Sequence, residues 1–264
     1  MDKRKKRILW RKRTRGVLTA LFLIIVFLFW TIYYLLKSDL LNLKTINVYG
    51  NAILTEEEII DVSDLYFNRN ILQYDLKQIK SKVESHPYID EANIKRKLPK
   101  TIIITVKERE KYAIIPYMGS FIYIDPYKVV LEVTRDYLAE DLVIITGVEF
   151  ESFKLGEIIN IHNENIFDHA MDLVEAARII SLMDMISEIN IGREDYIKLI
   201  TFDGIEVLLT KDLEAAYSML TLREILSNVA SFENKEIIID MSYKGQISIK
   251  TKGNGNQWEE SEWN

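Results

Sequence analysis

The chain has 264 residues, no cysteine, and a formal charge of −6 whose distribution is uneven: the first fifteen residues hold nine Lys or Arg and one acid, leaving the rest strongly acidic. Disulfide scaffolds, cysteine nucleophiles (sortases and L,D-transpeptidases among them) and redox machinery are thereby excluded. An acidic body also argues against nucleic acid as a partner, since such binding rests on Lys and Arg neutralising phosphates.

Residues 1–15 form a basic tail, and 16–36 read GVLTALFLIIVFLFWTIYYLL without a charged side chain. Twenty-one helical residues reach about 31 Å, close to the ~30 Å hydrocarbon thickness of a bilayer, so this is a single membrane span. The basic excess before it, with Lys37 and then Asp39 after it, predicts a cytoplasmic N-terminus and extracytoplasmic C-terminal domains. The run is too long for the apolar core of a cleaved signal peptide, and Trp30, Tyr33 and Tyr34 suit an interfacial aromatic belt.

Beyond the span, a strand through Leu43, Ile46 and Val48 stops at Gly50-Asn51. Thr55 and Glu58 form a capping box for a short helix, and Asp75 is the N-cap of a second, with Leu76, Ile79 and Val83 on one face before His86-Pro87. Tyr88 to Lys95 and Thr101 to Glu108 then read as a hairpin, with Ile94 and Ile104 facing the helices. A β-α-α-β-β module over 43–110 follows.

The residues that carry its hairpin, Pro87, Ala92, Ile94, Arg96, Pro99, Thr101, Ile104, Val106, Glu108 and Arg109, strongly resemble the POTRA module of the bacterial division proteins called FtsQ or DivIB. The order of basic tail, span, POTRA and β domain resembles that family to about Lys252. The resemblance implies a membrane-anchored divisome scaffold at the septum. The resemblance also implies FtsL-like and DivIC- or FtsB-like bitopic proteins as partners, and a part in bringing the septal peptidoglycan synthase complex to midcell or controlling it. The competing reading is a POTRA-type polypeptide-binding module of a secretion or assembly system, though one POTRA copy and no barrel strands are visible.

From 111 to 252 a second domain is expected, a mixed β-sheet with helices on one face, making the whole chain α+β. Short strands fall at Ala113 to Pro116, Phe121 to Asp125, Val129 to Val133 and Leu142 to Ile145. One helix carries Ile166, Phe167, Ala170, Val174, Ala177 and Ile180 as its apolar stripe; a second carries Leu213, Ala216, Tyr217, Leu220, Ile225 and Val229. Strands at Ile186 to Ile191, Tyr196 to Phe202, Ile205 to Leu209, Glu236 to Met241 and Gln246 to Lys250 complete the sheet. Residues 253–264, polar and acidic, read as a disordered tail.

Chemistry is harder to find. His86, His162 and His169 read as surface histidines without metal-ligand spacing, and there is no Ser-x-x-Lys, Gly-x-Ser-x-Gly or Walker text. No catalytic, cofactor or metal site is expected. The expected site is instead a partner-binding edge of Tyr243, Lys244, Gly245, Gln246, Ile247, Ser248 and Ile249. In the resembling family the final strands offer an open edge to which the FtsB or DivIC partner adds a strand, and Tyr243 and Gly245 resemble a recurrent motif with arginine where Ser242 stands. A last strand with nothing beyond it would leave N–H and C=O groups open to β-augmentation.

Overall fold

The computed structural model describes residues 3–137, 142–193, 195–211, 213–229, 237–243, 246–252 and 258–263. Two compact units divide between Glu108 and Arg109.

The first unit opens with helix α1 (Lys3–Lys37), of which Arg15–Lys37 is long and apolar enough to cross a membrane. Its large side chains from Val17 to Leu36 have no protein cover, as a lipid-facing helix requires. Strand β1 (Thr45–Tyr49), helix α2 (Glu56–Ser63), helix α3 (Leu76–Glu84) and strands β2 (Ile89–Lys97) and β3 (Thr101–Glu108) follow. The sheet order is β1-β3-β2, with β1 parallel and β2 antiparallel to the central strand. In β3 the residues at 102, 104 and 106 point into the core while Ile103 does not, the period-2 alternation of a sheet covered on one face. Ile94 and Ile104 lie in that core with Ile59, Ile79 and Val83 of the helices.

The ends of these elements are built from local chemistry. Thr55 Oγ1 accepts from Glu58 N (3.3 Å) while Glu58 Oε2 accepts from Thr55 N (2.8 Å), closing the capping box; that backbone bond holds the Glu58 carboxyl below its ordinary range. Asp75 Oδ1 accepts from Lys77 N at 2.9 Å. Gly50 has φ +86°, and a Cβ there would lie 2.1 Å from Val106 O, so the turn after β1 admits only glycine.

The second unit is one ten-stranded mixed sheet. Its strands are β4 (Ala113–Tyr117), β5 (Ser120–Ile124), β6 (Val130–Thr134), β7 (Val143–Thr146), β8 (Ile186–Asn190), β9 (Ile197–Thr201), β10 (Glu206–Leu209), β11 (Ile237–Met241), β12 (Ile247–Lys252) and β13 (Trp258–Trp263). They are ordered β13-β12-β11-β10-β9-β8-β7-β4-β5-β6. Helix α4 (Glu164–Ile179) connects the parallel neighbours β7 and β8, and α5 (Ala215–Val229) connects β10 and β11. Both crossovers start from strands of the same direction and step the same way along the sheet, so right-handed connection puts both helices on one face. They share a core with Ile115, Ile145, Leu199 and Ile239, while Ile114, Tyr123 and Leu142 form a small cluster on the other face.

Two expectations are corrected. On α5 the buried face is Ala215, Met219, Leu222, Ile225 and Leu226; Ala216, Tyr217 and Leu220 are exposed and Leu213 precedes the helix. At 3.6 residues per turn these buried positions fall on one arc of the helix, while Ala216, Tyr217 and Leu220 lie on the opposite arc among Arg223, Glu224 and Ser227. The tail is likewise not structureless, because Trp258–Trp263 pairs antiparallel with β12 from Ile247↔Trp263 to Lys252↔Trp258. Aromatic residues at both ends of the segment favour a strand.

Candidate partner-binding edge

β11 leaves the sheet interior beside β10 and turns back into β12 with Ile239 opposite Ile249 and Asp240 opposite Ser248. Asp240 closes the turn, its Oδ1 accepting from Ser242 N (3.0 Å) and Ser242 Oγ (2.6 Å). Ser242 is thus tied into the turn by both its backbone and its side chain. Tyr243 is 70% exposed, and its carbonyl accepts from Gln246 N at 3.2 Å. Ile249 is buried, Ile247 packs partly against the core, Ser248 is half-buried and Gln246 is exposed. Lys244 and Gly245 lie outside the described residues. The expected open edge is corrected: β12 is paired on both sides, with β11 and with β13, so the outer strand at this end of the sheet is β13. Its glutamates, Glu259, Glu260 and Glu262, masked that strand in a reading by polarity.

The residues of the hairpin motif have structural duties. Arg96 Nε donates to Ile71 O at 3.0 Å, and its Nη2 donates to Tyr74 O, fastening the segment that leads into α3 to the sheet. The Glu108 carboxylate accepts from the backbone N–H of Ala52 (2.8 Å), Ile53 (2.6 Å) and Leu54 (2.9 Å), closing the loop between β1 and α2. Arg109 Nη1 meets Asp125 Oδ2 at 2.7 Å, and Asp125, 1% exposed, accepts from Tyr127 N and Val129 N through Oδ1. None of these contacts was legible from the spacing alone.

Among the described residues no group of three or more His, Asp or Glu is placed to hold a metal ion. The histidines are scattered. His162 is exposed, burial pushes His86 below the usual imidazole value against the pull of Glu58 and Glu108, and His169 is only part-exposed with a buried Nε2 that lacks a hydrogen bond. Tyr112, whose Oη donates to Glu175 at 2.7 Å, is shifted up by burial and by that bond. It is locked into the core of the sheet domain.

A membrane-crossing helix, a three-stranded module with two helices on one face and a mixed sheet beyond it define a single-pass, membrane-anchored protein of the POTRA class. The family model "POTRA domain, FtsQ-type" matches residues 41–109. Cell division protein DivIB of Clostridium tetani is 30% identical over 225 residues, covering 82% of this chain and 82% of that protein. DivIB of Clostridium acetobutylicum is 36% identical over 121 residues, a match spanning 46% of this chain and 49% of the relative's length. The extracytoplasmic domain of DivIB from Geobacillus stearothermophilus is similar at 18% identity and a TM-score of 0.31, covering 47% of this chain and 96% of that one. The chain belongs to the DivIB/FtsQ family of bacterial cell division proteins.

Proposed function

We propose that this chain is a non-enzymatic scaffold of the division machine, anchored with its N-terminus in the cytoplasm and its two folded units outside, at the septum. It holds FtsL-like and DivIC-like bitopic proteins and through them helps control septal peptidoglycan synthesis. The observation that carries this reading is membership of the DivIB/FtsQ family together with a sheet whose outermost described strand, β13, is paired on one side alone.

The contact surface is the turn and strand from Tyr243 to Ile249, including Lys244 and Gly245. A partner strand takes the outer side of β12 in place of β13, making the same ladder of main-chain bonds. β13 suits replacement: half of its six residues are glutamate, which is depleted in strands, and among the described residues it pairs only with β12. Tyr243 supplies an exposed ring beside the ladder.

The test is titration of a purified DivIC-like ectodomain against the full chain in nanodiscs. Removing 258–264 is expected to tighten binding by about five-fold or more, since an internal competitor is lost. Tyr243→Ala is expected to weaken it by roughly five-fold to a hundred-fold while circular dichroism is unchanged. Unaltered affinity in both variants would sink the edge mechanism, and absence of any binding would sink the scaffold reading.

A further inference from the structure

Several chain segments meet at one end of the first unit's sheet. With β1 parallel and β2 antiparallel to β3, Thr45, Thr101 and Lys97 lie together at that end. Helix α1 ends at Lys37, only a short segment before Thr45. The segment between α2 and α3 is tied to the same place: Leu43 N donates to Arg69 O and Asn68 N to Leu43 O, both at 2.9 Å. Asn70 Nδ2 then donates to Leu36 O at 2.6 Å, on the last apolar residue of the span. On the β2–β3 side, Lys44 N and Thr45 N donate to Lys100 O at 2.9 and 3.3 Å.

This end has a composition unlike the rest of the acidic chain. Leu40, Tyr66, Phe67, Leu72 and Leu98 are all large, apolar or aromatic, and between 44% and 62% exposed. Lys44, Lys97 and Lys100 stand exposed among them. The acids nearby are engaged locally: Asp39 Oδ1 accepts from Asn42 Nδ2, Asp64 pairs with Lys82 and bonds Tyr66, and Asp75 caps α3. At the opposite end, where α2 begins, Tyr49 and Ile53 are also exposed, but the charged groups beside them are Glu56, Glu57 and Glu58. Charge is segregated along the module's strands.

We propose that the span-proximal end of this module rests on the bilayer that α1 enters, with its apolar side chains at headgroup level and its lysines against anionic phosphate groups. Reach supports the placement. Phe67 and Leu72 are no more than three residues from Asn70, so their backbone lies within about 11 Å of the residue bonded to the span. The polar layer on each side of a bilayer's core is on the order of 5 to 8 Å thick. Aromatic and aliphatic groups at that depth are at home, and each lysine near an anionic surface favours contact by about five-fold. The acidic body would be repelled by the same surface, so the contact also holds this end of the module down and the glutamate end away. The proposal uses only the membrane anchor and the first unit, and does not depend on the division partners.

The native chain has no cysteine, so single labels are unambiguous. Phe67→Cys and Leu98→Cys, each carrying a fluorophore, would be compared with Tyr49→Cys and Ile53→Cys at the far end, using the full chain in nanodiscs containing a nitroxide-headgroup phospholipid. We expect several-fold stronger quenching at 67 and 98 in phosphatidylglycerol-rich discs than at 49 and 53. The contrast should shrink in pure phosphatidylcholine discs and with Lys44→Glu, Lys97→Glu and Lys100→Glu combined. Equal quenching at both ends would overturn the proposal; a contrast indifferent to lipid charge and to the three lysines would overturn the electrostatic half of it.

Discussion

Ile104 is the sharpest test of how the first unit is held together. It sits on the central strand, opposite Val48 of β1 and Ile94 of β2, and is fully buried. Its neighbour Ile103 shares backbone and side chain but faces the other way and is half-buried. Ile104→Ala removes buried methyl and methylene groups and leaves a cavity between a sheet and two helices, at a cost of about 2 to 5 kcal/mol. A module of this size is stable by roughly 3 to 10 kcal/mol, so Ala removes a large share of that stability, while Ile104→Asp, burying a carboxylate without a partner, unfolds it. Because the chain has two units, the assay is peptide-level hydrogen exchange in β2 and β3 rather than a global melt. Opening in the Ala variant is expected to rise by about 30-fold to a few thousand-fold. Ile103→Ala is the internal control and should change exchange by much less. If the two alanine variants exchange alike, the core assignment built on alternation is refuted.

Other expected outcomes are as direct. Glu108→Ala leaves the N–H groups of Ala52, Ile53 and Leu54 without their shared acceptor and should destabilise the first unit by about 1 to 3 kcal/mol, read as faster exchange at 51–55. Asp125→Asn weakens the bond to Arg109 and should cost the second unit about 1.5 to 3 kcal/mol in urea unfolding; wild-type stability would show that the pair contributes nothing net. His86 is held neutral by burial, so its unfolded form binds the extra proton: stability of the first unit should fall as pH drops below about 6.5, and His86→Gln should flatten that slope in pulse proteolysis. A reporter fused after Asn264 should be active only outside the cytoplasm, and Arg4, Lys5, Lys6 and Arg11 changed to Glu should impair insertion.

What the sequence by itself determined is what depends on neighbours along the chain. The span needs only length and apolarity, the capping box only Thr55 and Glu58 three residues apart, and the alternation of β3 only its own side chains. Even the motif that marks the family is a local text, legible before any of its contacts are known. Pairing and facing are different, because they are chosen by residues far away. Arg96 and Glu108 acquire meaning only when the chain brings Ile71, Tyr74 and the 52–54 loop to them. Helix α5 also carries Tyr217 and Leu220 outside its main apolar arc, and packing on the sheet leaves them exposed while Met219 is buried. The acidic end of the chain has too little apolar surface to declare a strand, yet β12 presents a row of unpaired backbone groups that Trp258–Trp263 fills. Local spacing specifies which elements form; the free energy of burying one particular face, or of satisfying one particular edge, belongs to the tertiary structure and decides where each of them goes.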